Sequence, residues 1–323
     1  MDPSPEADAE ERLWSLILAA SRLMRSGELA PGILTGFALC DGPDPLLRPV
    51  PEGQGGATIR WCPKDGWHLP ETPTQEPMRS LSELYLPLCA PVTEGFTVVA
   101  HLGQSIDSCV ATANGDSCYV TGDENLRHLH RMRALSDAVL VGTETAACDN
   151  PRLTTRLVAG DNAVRVVLDR CRRLPPDLAI FTDGSAETWL VCDEARLHEP
   201  GPVPERGRLI GVPTRAGRLD LAAVVEVLAE FGIRTLFIEG GGMIVSAFVA
   251  ENLVDRLQVA IAPLLIGGGR LGLSPPTSDL LRNAICPSAR LYRMGKDVLY
   301  DMDMRRPRDG RVDRPPAGLQ RIV

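Results

Sequence analysis

The sequence predicts an α/β layered fold, and three observations carry that prediction. Short, near-continuous apolar runs recur: AVLVG (138–142), VRVVL (164–168), LAIF (178–181), TWLVC (188–192) and TLFI (235–238). Runs of that kind suit strands buried on both faces. Amphipathic helical patterns lie between several of them, and strands alternating with helices build layered sheets. Glycine clusters follow two strand ends, at Gly240 to Gly242 and at Gly267 to Gly269.

In chain order, Glu10 to Arg25 reads as an amphipathic helix with Leu13, Leu16, Ile17, Ala20, Leu23 and Met24 at helical spacing. Gly27, Pro31 and Gly32 stop it. Short strands are expected at Ile33–Cys40 and Ala57–Cys62. The stretch 63–95 carries six prolines and reads as an extended connector. Residues 1–95 are therefore expected to form a small N-terminal α+β module without a catalytic motif.

From 96 to 304 the pattern is regular. FTVVAHL (96–102) is a strand, and Asp123 to Leu135 is a helix with Leu126, Leu129 and Met132 on one side. Asp220 caps a helix burying Leu221, Val224, Val225 and Leu228 that ends at Gly232. Another helix starts at Gly242–Met243. Val254–Ala262 and DVLYDMDM (297–304) complete the strands. The tail 305–323, with six arginines and three prolines, is expected to be disordered.

Composition narrows the function. The chain has 323 residues, 44% hydrophobic and 24% charged, with net charge −8. That balance argues against nucleic acid and acidic membranes as partners. No apolar run reaches the roughly 18 residues of a membrane span, and the acidic start lacks the basic region of a secretory leader. A cytoplasmic location is expected. The nine cysteines are widely spaced with no CxxC, so neither a disulfide framework nor a cysteine-rich zinc site is expected. They read mostly as small buried hydrophobes.

Four segments have the composition of a site. In Ile238-Glu239-Gly240-Gly241-Gly242-Met243 a buried strand enters glycines and then a helix, an arrangement that admits phosphate. Ala262 to Arg270 is a second glycine-rich loop after a strand. His101 to Asp107 and Val141 to Arg156 add carboxylates, hydroxyls and guanidinium groups. A tight structural turn explains any one of them equally well.

As a set, in this order and spacing, they resemble the reductase domain of the bacterial riboflavin-biosynthesis deaminase/reductase, a relative of dihydrofolate reductase. The residues carrying the resemblance are Ser105-Ile106-Asp107, Val141-Gly142-Thr143-Glu144-Thr145, Asp149 to Arg156, Glu239-Gly240-Gly241 and Ala262 to Gly267. The resemblance covers 96–304. It implies a three-layer α/β/α sandwich on a mostly parallel sheet, a homodimer, and NADPH as hydride donor to C1′ of a ribosylamino-pyrimidine phosphate. It implies that Thr121, Gly142, Thr143, Gly240, Gly241, Gly242 and Gly267 line the cofactor. Arg170, in the run Arg170-Cys171-Arg172-Arg173, would reach its 2′-phosphate. Asp107 and Glu239 would be catalytic, and His101, Ser105, Asn150 and Arg156 would face the substrate, Arg156 its phosphate.

The sequence departs from the family pattern at three places. His101 stands where the family has lysine, Cys109 where it has arginine, and Leu126 where it has the next arginine. Lost cations leave open a different imine or heteroaromatic substrate, or a silent NADP(H)-binding protein. His128 and His130 read as surface or core histidines; no third ligand accompanies them, and no metal is expected. The deaminase's His-x-Glu and Pro-Cys-x-x-Cys are both missing, so no deaminase is expected.

Overall fold

Apolar helices and strands assemble as their patterns direct, in two places along the chain. A computed structural model describes residues 5–29, 35–40, 42, 45–51, 56–71, 73–89, 95–117, 120–274, 279–281 and 284–305. It divides into two compact units, Met1–Thr93 and Glu94–Val323. Residues 306–323 of the expected disordered tail lie outside the described residues.

The smaller unit begins with α1 (Pro5–Ser26), which ends at Gly27 with a left-handed φ of 72°. Four antiparallel strands follow: β1 (Thr35–Cys40), β2 (Leu46–Val50), β3 (Ile59–Cys62) and β4 (Gly66–His68), in the order β2-β1-β3-β4. Phe37, Trp61 and Trp67 cluster on one face of this sheet. The proline-rich stretch is not a simple connector. It contains α2 (Met78–Tyr85), whose Leu81, Leu84 and Tyr85 are buried. Their i, i+3, i+4 spacing forms the apolar stripe a helix needs. Tyr85 meets Trp14 of α1 edge-to-face at 5.6 Å.

The larger unit holds, in order, β5 (Thr97–Ser105), β6 (Cys109–Ala111), α3 (Asp123–Leu135), β7 (Ala138–Gly142), α4 (Thr143–Asp149), β8 (Val164–Leu168), α5 (Ala179–Thr182), β9 (Thr188–Asp193) and β10 (Gly207–Val212). After the small hairpin of β11 (Thr214–Arg215) and β12 (Arg218–Leu219) come α6 (Leu221–Glu230), β13 (Thr235–Glu239), α7 (Gly242–Ala250), β14 (Arg256–Ala262), β15 (Arg270–Leu271), β16 (Ser288–Met294) and β17 (Asp297–Asp303). Nine strands form one sheet, β10-β9-β8-β7-β13-β5-β14-β17-β16. All neighbours are parallel except β14–β17 and β17–β16. Val98, Ala100 and Leu102 of β5 pack with Val224 and Leu228 of α6 and Val245 and Phe248 of α7. The alternate β5 residue His101 faces α3 on the opposite side, which gives the expected α/β/α sandwich.

Three local expectations are corrected. LAIF is a helix start, not a strand: Asn150 Oδ1 accepts the Ala179 N–H at 2.7 Å, and a four-residue turn buries Ile180 and Phe181. Of the described cysteines only Cys89, Cys109 and Cys192 are buried; Cys148 and Cys286 are exposed. The third correction concerns α3. Its buried residues are Asn125, His128, His130, Met132, Arg133, Ala134 and Leu135, while Leu126 is 37% exposed. The sheet beneath α3 explains this. Glu239, His101, Gln258 and Asp301 sit in register across β13, β5, β14 and β17. A polar row needs a polar partner face, because buried polar groups left unpaired are costly.

Candidate active site

Strand β13 inserts between β7 and β5, so successive connections leave the sheet in opposite directions there. Parallel sheets place ligands outside the carboxyl ends of their strands at such a reversal. The carboxyl ends of β8, β7, β13, β5 and β14 carry Arg170, Gly142 with Thr143, Glu239 with Gly240, Ser105 with Asp107, and the 263–269 loop.

Glu239 ends β13 and is gripped by Arg133 of α3. Arg133 Nε donates to Oε2 at 2.8 Å and Nη2 to Oε1 at 2.5 Å. The pair is nearly dry, with side-chain exposures of 5% for Arg133 and 17% for Glu239. Burial pushes the Glu239 carboxyl up, but the charge and hydrogen bonds of Arg133 outweigh it and hold the group below its usual range. Glu239 is therefore an ionised acceptor near neutral pH. Arg133 Nη1 also donates to the Thr154 carbonyl at 2.9 Å. His130 Nδ1 accepts the Arg156 N–H at 2.8 Å. One helix thus ties the end of β13 to the 150–157 loop. Burial, then Arg133 and Arg156, lower His130 to about 4, so it stays neutral and acceptor-competent.

His101 is buried inside this lattice. Its Nε2–H donates to Asn125 Oδ1 at 2.9 Å, and Asn125 Nδ2 donates to Thr121 Oγ1 at 2.9 Å. The His128 ring lies 5.3 Å away, centroid to centroid. His128 pairs with Gln258 Oε1 at 2.9 Å, and Gln258 Nε2 donates to Asp301 at 3.1 Å. Burial lowers His101 to about 4, with Glu239 and Asn125 opposing the shift only in part. Where the resemblance implies a lysine cation, this chain holds a neutral ring.

Asp107 closes the far side of the site. Its Oδ1 accepts from Ser105 Oγ at 2.5 Å and from the Ile266 N–H at 3.1 Å; its Oδ2 accepts from the Gly267 N–H at 2.8 Å. The Ser105 hydroxyl first, then those backbone donors, hold Asp107 at about 2. Both oxygens of Asp107, expected to be catalytic, are occupied in clamping the loop after β14. Gly267 can make its bend because φ is 73°. Asn150, expected to face substrate, uses its Oδ1 to cap α5. Arg156 is exposed, and its guanidinium forms no hydrogen bond or ion pair with a described residue.

Whether this end of the sheet fits a dinucleotide is a question of free donors. Gly142 and Gly241 precede α4 and α7 as caps with no side-chain hydrogen bond, leaving first-turn N–H groups for an anionic group. The two turns adjoin, since the Gly241 N–H reaches Thr145 Oγ1 at 3.3 Å. Gln104 Oε1, near the end of β5, is buried without a partner among the described residues. These features fit a dinucleotide. Two expected contacts behave otherwise. Gly242 is buried, and a Cβ there would lie 1.8 Å from the Gly272 carbonyl, so its role is backbone packing. Thr143 Oγ1 is spent on the Leu168 carbonyl at 2.6 Å. Arg170 remains half-buried, two residues past Leu168, the partner of Gly142 on the neighbouring strand. Its neighbour Arg172 is buried and donates to the carbonyls of Arg196, Leu197, Glu199, Gly201 and Pro202. It is an organiser of loops, not a phosphate grip.

Arg133 is the residue that sequence reasoning missed. Its carboxylate partner lies 106 positions away, and nothing local marks it as more than a helix arginine.

Comparison with known proteins gives a consistent set. The profile of the RibD C-terminal domain matches residues 96–299. A 2,5-diamino-6-ribosylamino-4(3H)-pyrimidinone 5′-phosphate reductase of Methanothermobacter thermautotrophicus is 33% identical over 210 residues, 63% of this chain and 96% of that protein. The riboflavin biosynthesis protein RibD of Bacillus amyloliquefaciens is 28% identical over 73% of this chain, which spans 62% of that longer protein. Among solved structures, the Thermotoga maritima deaminase/reductase superposes with TM-score 0.57 at 24% identity, over 71% of this chain and 62% of its own. The yeast riboflavin biosynthesis reductase Rib7 gives 0.57 at 20%, over 71% of this chain and all of its own. Both likenesses establish the fold.

Proposed function

This chain belongs to the RibD C-terminal domain family, and on that footing we propose that it is a riboflavin-pathway pyrimidine reductase using NADPH. Its substrate is a ribosylamino-pyrimidine 5′-phosphate, reduced at C1′ to the ribityl product. The observation that supports this best is the Glu239–Arg133 pair standing beside two uncapped glycine turns at the reversal of a parallel sheet.

Bound at those turns, a reduced nicotinamide supplies the hydride. That hydride would add to C1′ of the ring-opened, Schiff-base form of the substrate, the C=N electron pair would move to nitrogen, and the nitrogen would take a proton from solvent. The chain's residues position the two reactants. The turns at Gly142 and at Gly240–Gly241 would hold the pyrophosphate, and Arg170 would support the 2′-phosphate that distinguishes NADPH from NADH. Glu239, ionised and fixed by Arg133, accepts from a donor of the substrate. The unpaired Arg156 guanidinium suits the substrate's 5′-phosphate. Asp107 and Ser105 hold the loop that walls the site. A homodimer in the cytoplasm, acting on a small molecule, completes this reading.

The purified full chain is expected to shift NADPH fluorescence at micromolar cofactor. It should oxidise NADPH with the diamino-pyrimidinone or the amino-uracil ribosylamino 5′-phosphate. Absence of cofactor binding ends the reductase reading. Binding without stimulation by either pyrimidine moves the chain to another imine or heteroaromatic substrate, the reading that neutral His101 and exposed Leu126 favour, or to a silent binder. Glu239→Gln is expected to keep the fold at reduced stability, because the buried Arg133 cation loses its counter-charge, and to lose about 100-fold in turnover; wild-type turnover in that variant removes Glu239 from the site.

A further inference from the structure

We propose that Cys62, Asp65 and His68 on the β3–β4 hairpin of the smaller unit form a binding site for a single zinc-like divalent metal ion. The ligand atoms of these three residues all lie within 4.8 Å of one another.

The hairpin builds the cluster by strand alternation. Trp61 pairs with Trp67, and both indoles turn into the aromatic core. Their neighbours Cys62 and His68 therefore share the opposite, outward face. Cys62 pairs with Gly66, and His68 stands two residues beyond, the diagonal position that long side chains bridge. Asp65 reaches in from the three-residue turn, where the Cys62 thiol already donates to Oδ2 at 3.6 Å. Gly66 adopts φ 86°, and a Cβ there would meet nothing within 4 Å, so space is left between Cys62 and His68. The base is firm, because Trp67 Nε1 donates to the buried Cys89 carbonyl at 2.9 Å.

The donor set decides the metal. Thiolate sulfur and imidazole nitrogen select zinc-type ions over magnesium and calcium, which require oxygen. Binding displaces the thiol proton to solvent, and the thiolate and carboxylate then neutralise a divalent charge. Three protein ligands leave a fourth tetrahedral position to water. Cys62 is half-exposed and the other two are exposed, so the ion has an open path.

The test is titration of the reduced full chain with Co²⁺ alone. One equivalent is expected to produce a thiolate-to-cobalt charge-transfer band, which Zn²⁺ abolishes by displacement and Mg²⁺ or Ca²⁺ leaves unchanged. Cys62→Ser should remove the band. Asp65→Asn and His68→Gln, both surface changes, should weaken metal binding on the order of 100-fold, the scale seen even for lost outer-shell partners. Cys148→Ser and Cys286→Ser should keep the band. No band at excess Co²⁺ overturns the proposal, as does a band that persists in Cys62→Ser or is competed equally by Ca²⁺.

Discussion

Arg133→Met is expected to destabilise the larger unit by about 3–5 kcal/mol, the range for breaking one side of a buried ion pair, and to abolish turnover. The size follows from what is left behind. Glu239 is nearly dry and both its oxygens are bonded by Arg133, so methionine strands a carboxylate without a partner. It also frees the Thr154 carbonyl, losing the brace between α3 and the 150–157 loop. The double variant Arg133→Met, Glu239→Gln should recover at least half of the stability, because an amide costs far less to bury than an unpaired charge. It should not recover turnover, since the ionised acceptor is gone. Urea unfolding of the full chain checks the first part, and a single-variant loss below about 1 kcal/mol, within the range of exposed pairs, refutes it. The contrast between recovered stability and unrecovered activity separates an electrostatic role of the pair from a purely structural one.

The same pair shows where the sequence was legible. Strand ends are readable because apolar runs stop at glycines and carboxylates, and Glu239, Gly241 and Asp107 do lie at or just beyond such ends, Asp107 as the clamp on the loop after β14. Asp220 announced its helix, accepting from the Ala222 and Ala223 N–H groups as its position implied. What failed was any inference needing a distant partner. Leu126, Leu129 and Met132 looked like the core side of α3, but the sheet row it covers is Glu239, His101, Gln258 and Asp301, and only contact with that row explains the buried Asn125, His128 and Arg133. Arg172, in the same basic run as Arg170, is illegible for the same reason: the loop carbonyls it serves lie 24–30 residues downstream. α2 was hidden by flanking prolines, although its Leu81, Leu84 and Tyr85 carried the helical period.

Acidification from pH 7.5 to 4 is expected to remove about 3 kcal/mol of stability through His101 alone, taking its shift from 6.5 to about 4 at roughly 1.4 kcal/mol per unit. The sign is set by the depressed folded value. Above 6.5 the ring is neutral folded or unfolded, and the full stability is present. As pH falls from 6.5 to 4 the unfolded chain takes a proton that the folded chain refuses, so stability is lost across that window and levels off below it. Every group around the ring bears on the outcome. Asn125 and His128 face it from α3, Phe237 and Glu239 from β13, and Gln258 from β14. Only Glu239 and the Asn125 bond favour the imidazolium, and burial overrides them. His128 and His130 are shifted in the same direction, the first also by its neighbour His101, so the loss should exceed that of one histidine. Asp107 and Glu239 act in the same sense, but from 3.8 and 4.5 downward; Asp149 and Asp255, both raised by burial, act in the opposite sense, so a net loss above pH 4.5 reports the histidines. Urea midpoints measured between pH 7.5 and 4.5 check this, and a flat profile there would show that the rings reach water. His101→Gln should reduce the slope, since an amide can keep the bond to Asn125 without titrating. The ring that makes the fold acid-sensitive is neutral near pH 7, so the position opposite Glu239 on the neighbouring strand carries no cation there.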